Sequence, residues 1–168
     1  MDSGGYLGEQ RRGTILFTYA TVYVIKFVMT YETVAEGLRR TFTITSGLRE
    51  GYGPRSTTTH HPEDAHQAAG EWMKRCAQTG QVALSGFFTD TTILYVRDTG
   101  SGELEYGTEP AVRFWGEVSL TRLAGIPDEE IKSALNGLAD ALGDALGQEV
   151  VTVGYRDETW VRSRVVGD

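Results

Sequence analysis

The chain has 168 residues, a single cysteine, 40% hydrophobic and 23% charged residues, and a net charge of −7. That length suits one domain that buries its own core without disulfides or a structural metal, and the composition excludes global disorder. The acidic excess works against non-specific binding to nucleic acid or anionic membrane, and the lone Cys76 fits a reducing, cytoplasmic setting.

The most apolar stretch is Thr14 to Tyr31 (TILFTYATVYVIKFVMTY), preceded by Arg11 and Arg12. Three readings compete for it. As a signal sequence or membrane anchor it would use the arginines as a positive flank. Lys26 and the many threonines and tyrosines argue against this, and the uninterrupted part is shorter than the roughly 20 apolar residues a spanning helix needs. As a strand it has the expected β-branched and aromatic content. Alternatively, residues 1–28 come from an upstream start, with Met29 opening the folded chain. The strand reading is preferred, which makes 1–28 an N-terminal extension and 29–168 a single domain.

Arg40 to Gly47 (RTFTITSG) alternates, with Phe42 and Ile44 on one face and Leu48 continuing it, so a half-buried strand is expected. Residues 51–61 are rich in glycine, proline and polar groups and read as a loop. A helix then starts at Pro62 with Glu63 and Asp64 in its first turn. Its apolar face is Ala65, Ala68, Ala69, Trp72, Met73 and Cys76, and Gly80 is its stop signal. Residues 81–88 and 91–96 read as one long strand bent at Gly86. The turn-rich stretch 97–110 closes a hairpin, with 111–120 returning.

A second helix follows Pro127, with Asp128, Glu129 and Glu130 in its first turn and a stripe of Ile131, Leu135, Leu138, Leu142 and Leu146. Gly147 ends it. Residues 149–156 form a last strand, and a tail with Trp160, Val161 and Val165 extends it. Strand, helix, strand, strand, helix, strand is the split βαβ order. The expected fold is therefore α+β, ferredoxin-like: an antiparallel sheet with both helices on one face, plus an extra N-terminal strand.

Chemistry-bearing patterns are sparse. His60, His61 and His66 lie close together beside Glu63 and Asp64, but adjacent histidines diverge and His66 sits a turn away, so no metal site is expected. Cys76 lies on the apolar stripe and reads as a core residue rather than a nucleophile. The loop GLREGYGPRS lacks the spacing of a phosphate-binding motif, although Arg49, Arg55 and Thr57 to Thr59 could hold an anion. On the sheet face away from the helices, Phe87, Phe88, Tyr95, Phe114 and Trp115 are candidate aromatic contacts. No RNA-binding pattern of basic and aromatic residues accompanies them. The ligand-binding candidates are Arg49, Arg55, Tyr95 and Trp115, with no catalytic residue, metal ligand or cofactor indicated.

TFTITSGLREGYG, the first helix, the long hairpin, and the closing ALGQEVVTV together resemble a group of short ferredoxin-like proteins of unknown function. These come from phage, mobile-element and bacterial genomes. The resemblance covers residues 40–156 and implies a fold and an accessory role, with no reaction attached.

The leading expectation is thus a non-catalytic binding or oligomerisation module, a phage or mobile-element accessory protein that engages a second copy or a protein partner through its sheet face. This reading leans away from an enzyme. The alternative is a small enzyme or small-molecule sensor with its site between the 51–61 loop and the 97–110 hairpin. A nucleic-acid partner ranks last on charge, and no membrane partner is expected.

Overall fold

The computed structural model describes residues 32–51 and 58–164. All described elements lie in the unit Thr33–Asp168. The expected N-terminal strand within residues 1–28 and the end of the tail at Val165 lie outside the described residues. The elements are β1 (Thr41–Gly47), α1 (Pro62–Thr79), β2 (Phe87–Asp98), β3 (Leu104–Glu117), α2 (Asp128–Ala145), β4 (Val150–Tyr155) and β5 (Glu158–Ser163). The sheet order is β2-β3-β1-β4-β5, with every neighbouring pair antiparallel. Its first four strands have the ferredoxin-like split βαβ arrangement, and both helices cover one face. No helix among the described residues is long and apolar enough to cross a membrane.

Strand alternation sorts the side chains. Phe42, Ile44, Val112, Phe114, Val151, Val153 and Tyr155 are buried on the helix side, against Trp72 and Cys76 of α1 and Ile131, Leu135, Leu138 and Leu142 of α2. Cys76 is buried, and burial pushes its thiol pKa up. Both helices begin on acidic first turns, and Gly80 ends α1 in the left-handed conformation at φ 69°.

Three expectations change. The stretch 97–110 is mostly strand: β2 runs to Asp98 and β3 from Leu104 to Glu117, so only residues 99–103 close the hairpin and the return ends before 118–120. Residues 81–86 are not a strand: Leu84 is buried in the core, and the chain joins the sheet only at Phe87. Gly86 permits this tight entry, because a Cβ there would stand 2.5 Å from the Trp115 carbonyl oxygen. The tail also does not extend β4. It turns back at Arg156, in the left-handed region at φ 55°, and pairs beside β4 as β5. The sheet therefore gains its fifth strand at the C-terminal side.

A side-chain ladder ties β5 to α2. Lys132 pairs with Glu158 at 2.8 Å, and Trp160 Nε1 donates to Asn136 Oδ1 at 2.8 Å. Arg162 makes a two-pronged bond to Asp140 at 2.9 and 2.8 Å, and Arg164 reaches Asp144 at 3.0 Å. The helix contributes every fourth residue and the strand every second. Four helical residues rise about 6.0 Å and two strand residues about 6.6 Å, so the two periods stay in step along the edge.

A polar cluster pins the start of α2 to the sheet. Arg40 donates to the Ile126 and Leu123 carbonyls, both at 2.8 Å, and to Asp128 Oδ1 at 3.1 Å. Tyr155 donates its hydroxyl to the same Asp128 oxygen at 2.7 Å, and Arg156 lies 3.2 Å from Asp128 Oδ2. The Tyr155 hydrogen bond, with Arg156 and Arg40 beside it, holds the Asp128 pKa below its ordinary 3.8.

Two outcomes follow from this packing. Leu135→Ala should destabilise the domain by about 2–5 kcal/mol, because it leaves a cavity in the fully buried stripe of α2; denaturant unfolding measures it, and a loss under about 0.5 kcal/mol would remove the stripe from the core. For Asp128, a depressed folded-state pKa means that the unfolded chain binds the proton first. Its contribution is present above the unfolded value and fades as pH falls through the folded one. Asp128→Asn should therefore lower the melting temperature at pH 7 and narrow its gap to wild type as the pH drops below about 4. A constant gap across that range would show that the charge is not involved.

Candidate functional site

The sheet face opposite the helices is threonine-rich and polar. Alternation places Thr43, Thr45 and Gly47 of β1, Arg113 and Trp115 of β3, and Thr152 of β4 there. It also corrects the aromatic assignment. Phe114 is 1% exposed in the core, and Phe88 packs beside it at 4.9 Å and stacks on His66 at 4.5 Å. Neighbouring strand residues point to opposite sides, so only Phe87, Tyr95 and Trp115 of the five belong to the open face.

The long β2–β3 hairpin outruns the helices and twists over this face. A cleft of about 400 Å³ results, in which Ile93, Tyr95 and Arg97 of β2 and Glu109 of β3 face Thr45, Val150 and Thr152. Its floor is cut to shape by glycines. A Cβ on Gly47 would collide with Glu109 Oε1, so the carboxylate lies directly over the Gly47 backbone. A Cβ on Gly107 would stand 2.6 Å from the Tyr95 ring, so the phenol lies on Gly107, its cross-strand partner. Glu109 has no hydrogen-bond or ion-pair partner among the described residues, whereas Arg97 is paired with Glu105 at 3.2 Å.

One end of the cleft is braced by Gln148, a buried amide just after α2. Its Nε2 donates to the Arg49 carbonyl at 2.6 Å and to the Leu146 carbonyl at 3.2 Å. The Gly51 N–H donates to the Gly147 carbonyl at 2.9 Å, with both glycines at positive φ. The base of the 51–61 loop is thereby fixed to the cleft wall.

The residues singled out from sequence scatter around this geometry. Tyr95 is a wall of the cleft. Trp115 lies in a separate hollow further along the same face, held by its Nε1 donating to Thr89 Oγ1 at 3.0 Å. Arg49 contributes its carbonyl to the brace, and Arg55 lies outside the described residues. His60 Nε2 meets Glu50 at 3.1 Å and its Nδ1 lies 3.6 Å from Asp64 Oδ2, which also accepts from the His61 backbone N–H at 2.9 Å, while His66 packs on Phe88. Glu109, Gly47 and Gln148 were missed. Glu109 falls in the stretch 97–110 that reads as turn, and its pairing with Ile93, which puts it on the open face, has no local signal.

No protein-family model matches the chain, and no curated protein matches it. Solved structures do. A phage SAM lyase in its apo state superimposes with a TM-score of 0.54 at 18% identity, over 77% of this chain and 92% of that one. A phage SAM lyase in complex with S-methyl-5'-thioadenosine gives 0.55 at 18% identity, over 80% and 97%. The shared property is the fold, and the resemblance to phage proteins expected from the layout is met at that level.

These findings overturn the expectation of a non-catalytic binding or oligomerisation module, and with it the leaning away from an enzyme. The fold is that of an enzyme solved with a small-molecule ligand. The physical reason is local: the open face exposes Phe87, Trp115 and Val161 among its threonines, but the Glu109 carboxylate in the cleft would lose its hydration under a second sheet. The alternative, a small enzyme or small-molecule sensor, is the reading these findings back better.

Proposed function

We propose that the chain is a small enzyme acting on S-adenosylmethionine or a closely related sulfonium nucleoside, bound in the cleft between the β2–β3 arm and strands β1 and β4. One observation carries the reading: the Glu109 carboxylate, without a partner among the described residues, held over Gly47 in the cleft that Tyr95 also lines, on a fold shared with a SAM lyase. A carboxylate in a partly enclosed cleft attracts a cationic ligand, because water screens it less there than on an open surface. The Tyr95 ring adds a face that suits a sulfonium or a planar base. The overall charge of −7 favours the approach of such a cation.

The chemistry is consistent with that placement. Release of methylthioadenosine from S-adenosylmethionine breaks the bond between sulfur and the amino-acid chain, and the bonding pair stays on sulfur. The nucleoside product is then neutral and loses its attraction to Glu109, which favours its departure. A lyase consumes no water, so an oxygen of the fragment's own carboxylate closes on the carbon that sulfur leaves, forming a five-membered lactone as the carbon–sulfur bond breaks. Glu109 serves here to hold the cation, and Tyr95 and Ile93 to exclude solvent from it.

The expected partnership with further copies of the chain draws on a different surface. Leu94, Val96, Leu104 and Tyr106 are 67–77% exposed on the helix-side face of the arm, where no helix reaches. Covering them would stabilise an oligomer, and a monomeric mass for the full chain in solution would dismiss it.

The full chain incubated with S-adenosylmethionine should release methylthioadenosine, detected by chromatography and mass spectrometry. Glu109→Gln should weaken substrate binding by about 10- to 100-fold, the range of a charge-assisted contact. Thermal stabilisation by the nucleoside without turnover would make the protein a sensor of the same ligand. A chain that neither forms the product nor is stabilised by either nucleoside would overturn the proposal.

A further inference from the structure

The hollow next to the cleft contains a second charged group of opposite sign. Arg113 stands in it with Thr43, Thr89, Thr91 and Trp115 around a space of about 410 Å³. Its cross-strand neighbours are Thr45 and Thr89. Three basic residues lie in the described strands. Arg97 and Arg162 are ion-paired with Glu105 and Asp140, and Arg113 has no hydrogen-bond or ion-pair partner among the described residues. The indole of Trp115 donates to Thr89 Oγ1, which fixes that hydroxyl in place while its own O–H can still donate. Guanidinium and threonine O–H groups converging on one space form a donor set that suits a carboxylate or phosphate oxygen pair.

The two spaces adjoin. Thr45 lines the cleft and pairs with Arg113, and between them the small residues Gly47 and Ala111 face one another across β1 and β3. Glu109 and Arg113 are four residues apart on one face of β3, roughly 13 Å between their Cα atoms, a gap that two long side chains shorten to the length of an amino-acid tail. The order of charge along the strand is negative at the cleft and positive at the hollow. S-Adenosylmethionine has the complementary order: a cationic sulfonium, then an α-ammonium, then a terminal carboxylate.

We propose that Arg113, with the hydroxyls of Thr89 and Thr91, is the subsite for the carboxylate of the substrate's amino-acid tail. This rests on the nucleoside reading of the cleft and adds to it the group that separates substrate from product, since methylthioadenosine has no such carboxylate. Arg113 acts in this scheme as a specificity residue, orienting the tail while Glu109 holds the sulfonium.

The test compares two stable nucleosides by calorimetric titration of the full chain: S-adenosylhomocysteine, which keeps the amino-acid tail, and methylthioadenosine, which lacks it. Arg113→Gln should weaken S-adenosylhomocysteine binding about 10- to 100-fold and leave methylthioadenosine binding unchanged. Arg113→Lys, which keeps the charge and loses the fork, should fall between. Arg113 is exposed on the strand surface, so its variants should melt as wild type does, which keeps loss of fold from imitating loss of binding. Equal weakening of both ligands, or none of either, overturns the Arg113 assignment alone. A wild-type chain that binds neither nucleoside overturns the reading of the cleft and this assignment with it.

Discussion

The two-residue period of the strands governs the whole molecule. Once Phe42, Ile44, Phe114, Val153 and Tyr155 are buried under α1 and α2, every intervening residue is committed to the other side of the sheet. Thr43, Thr45, Arg113 and Trp115 are on the open face because their neighbours are in the core. A slip of one residue in any strand would bury these polar groups and expose the core. The chemistry of the open face is thus a by-product of core formation.

What turns a flat sheet face into a cleft is the unequal length of the strands. β2 and β3 have 12 and 14 residues, against 7 in β1 and 6 in β4. The excess projects past the helices as a two-stranded arm, and such ribbons twist more strongly than wide sheets. The twist carries Ile93 and Tyr95 across to face Val150 and Thr152. Gly47 and Gly107 then leave room for the Glu109 carboxylate and the Tyr95 ring to lie on the backbone.

Two polar devices hold the opposite side. The cluster of Arg40, Asp128, Tyr155 and Arg156 joins the start of α2 to the sheet, and the ladder of Lys132, Asn136, Asp140 and Asp144 joins α2 to β5. Single exposed ion pairs contribute little, but a matched row also selects one register for β5. This explains how a strand with few apolar residues stays on the sheet edge. The shared fold with a lyase does not by itself confer activity, and at 18% identity what is shared is the fold.

The sequence by itself determined most of the architecture. The helical stripes through Trp72 and Leu135, the alternation of β1 and β4, and the order of elements are local periodic signals, and they specified a split βαβ sheet with two covering helices. It also determined that Cys76 is a core residue, because the helical period set it beside Trp72. Only the tertiary structure decided the rest. Glu109 looked like one acidic residue in a turn-rich stretch, and its place over Gly47 depends on a contact 62 residues apart in the chain. Phe114 and Trp115 were indistinguishable by composition until strand pairing assigned them to opposite faces. The ladder to β5 was invisible because its two halves repeat at different periods, four on the helix and two on the strand, and meet only when the chain has folded.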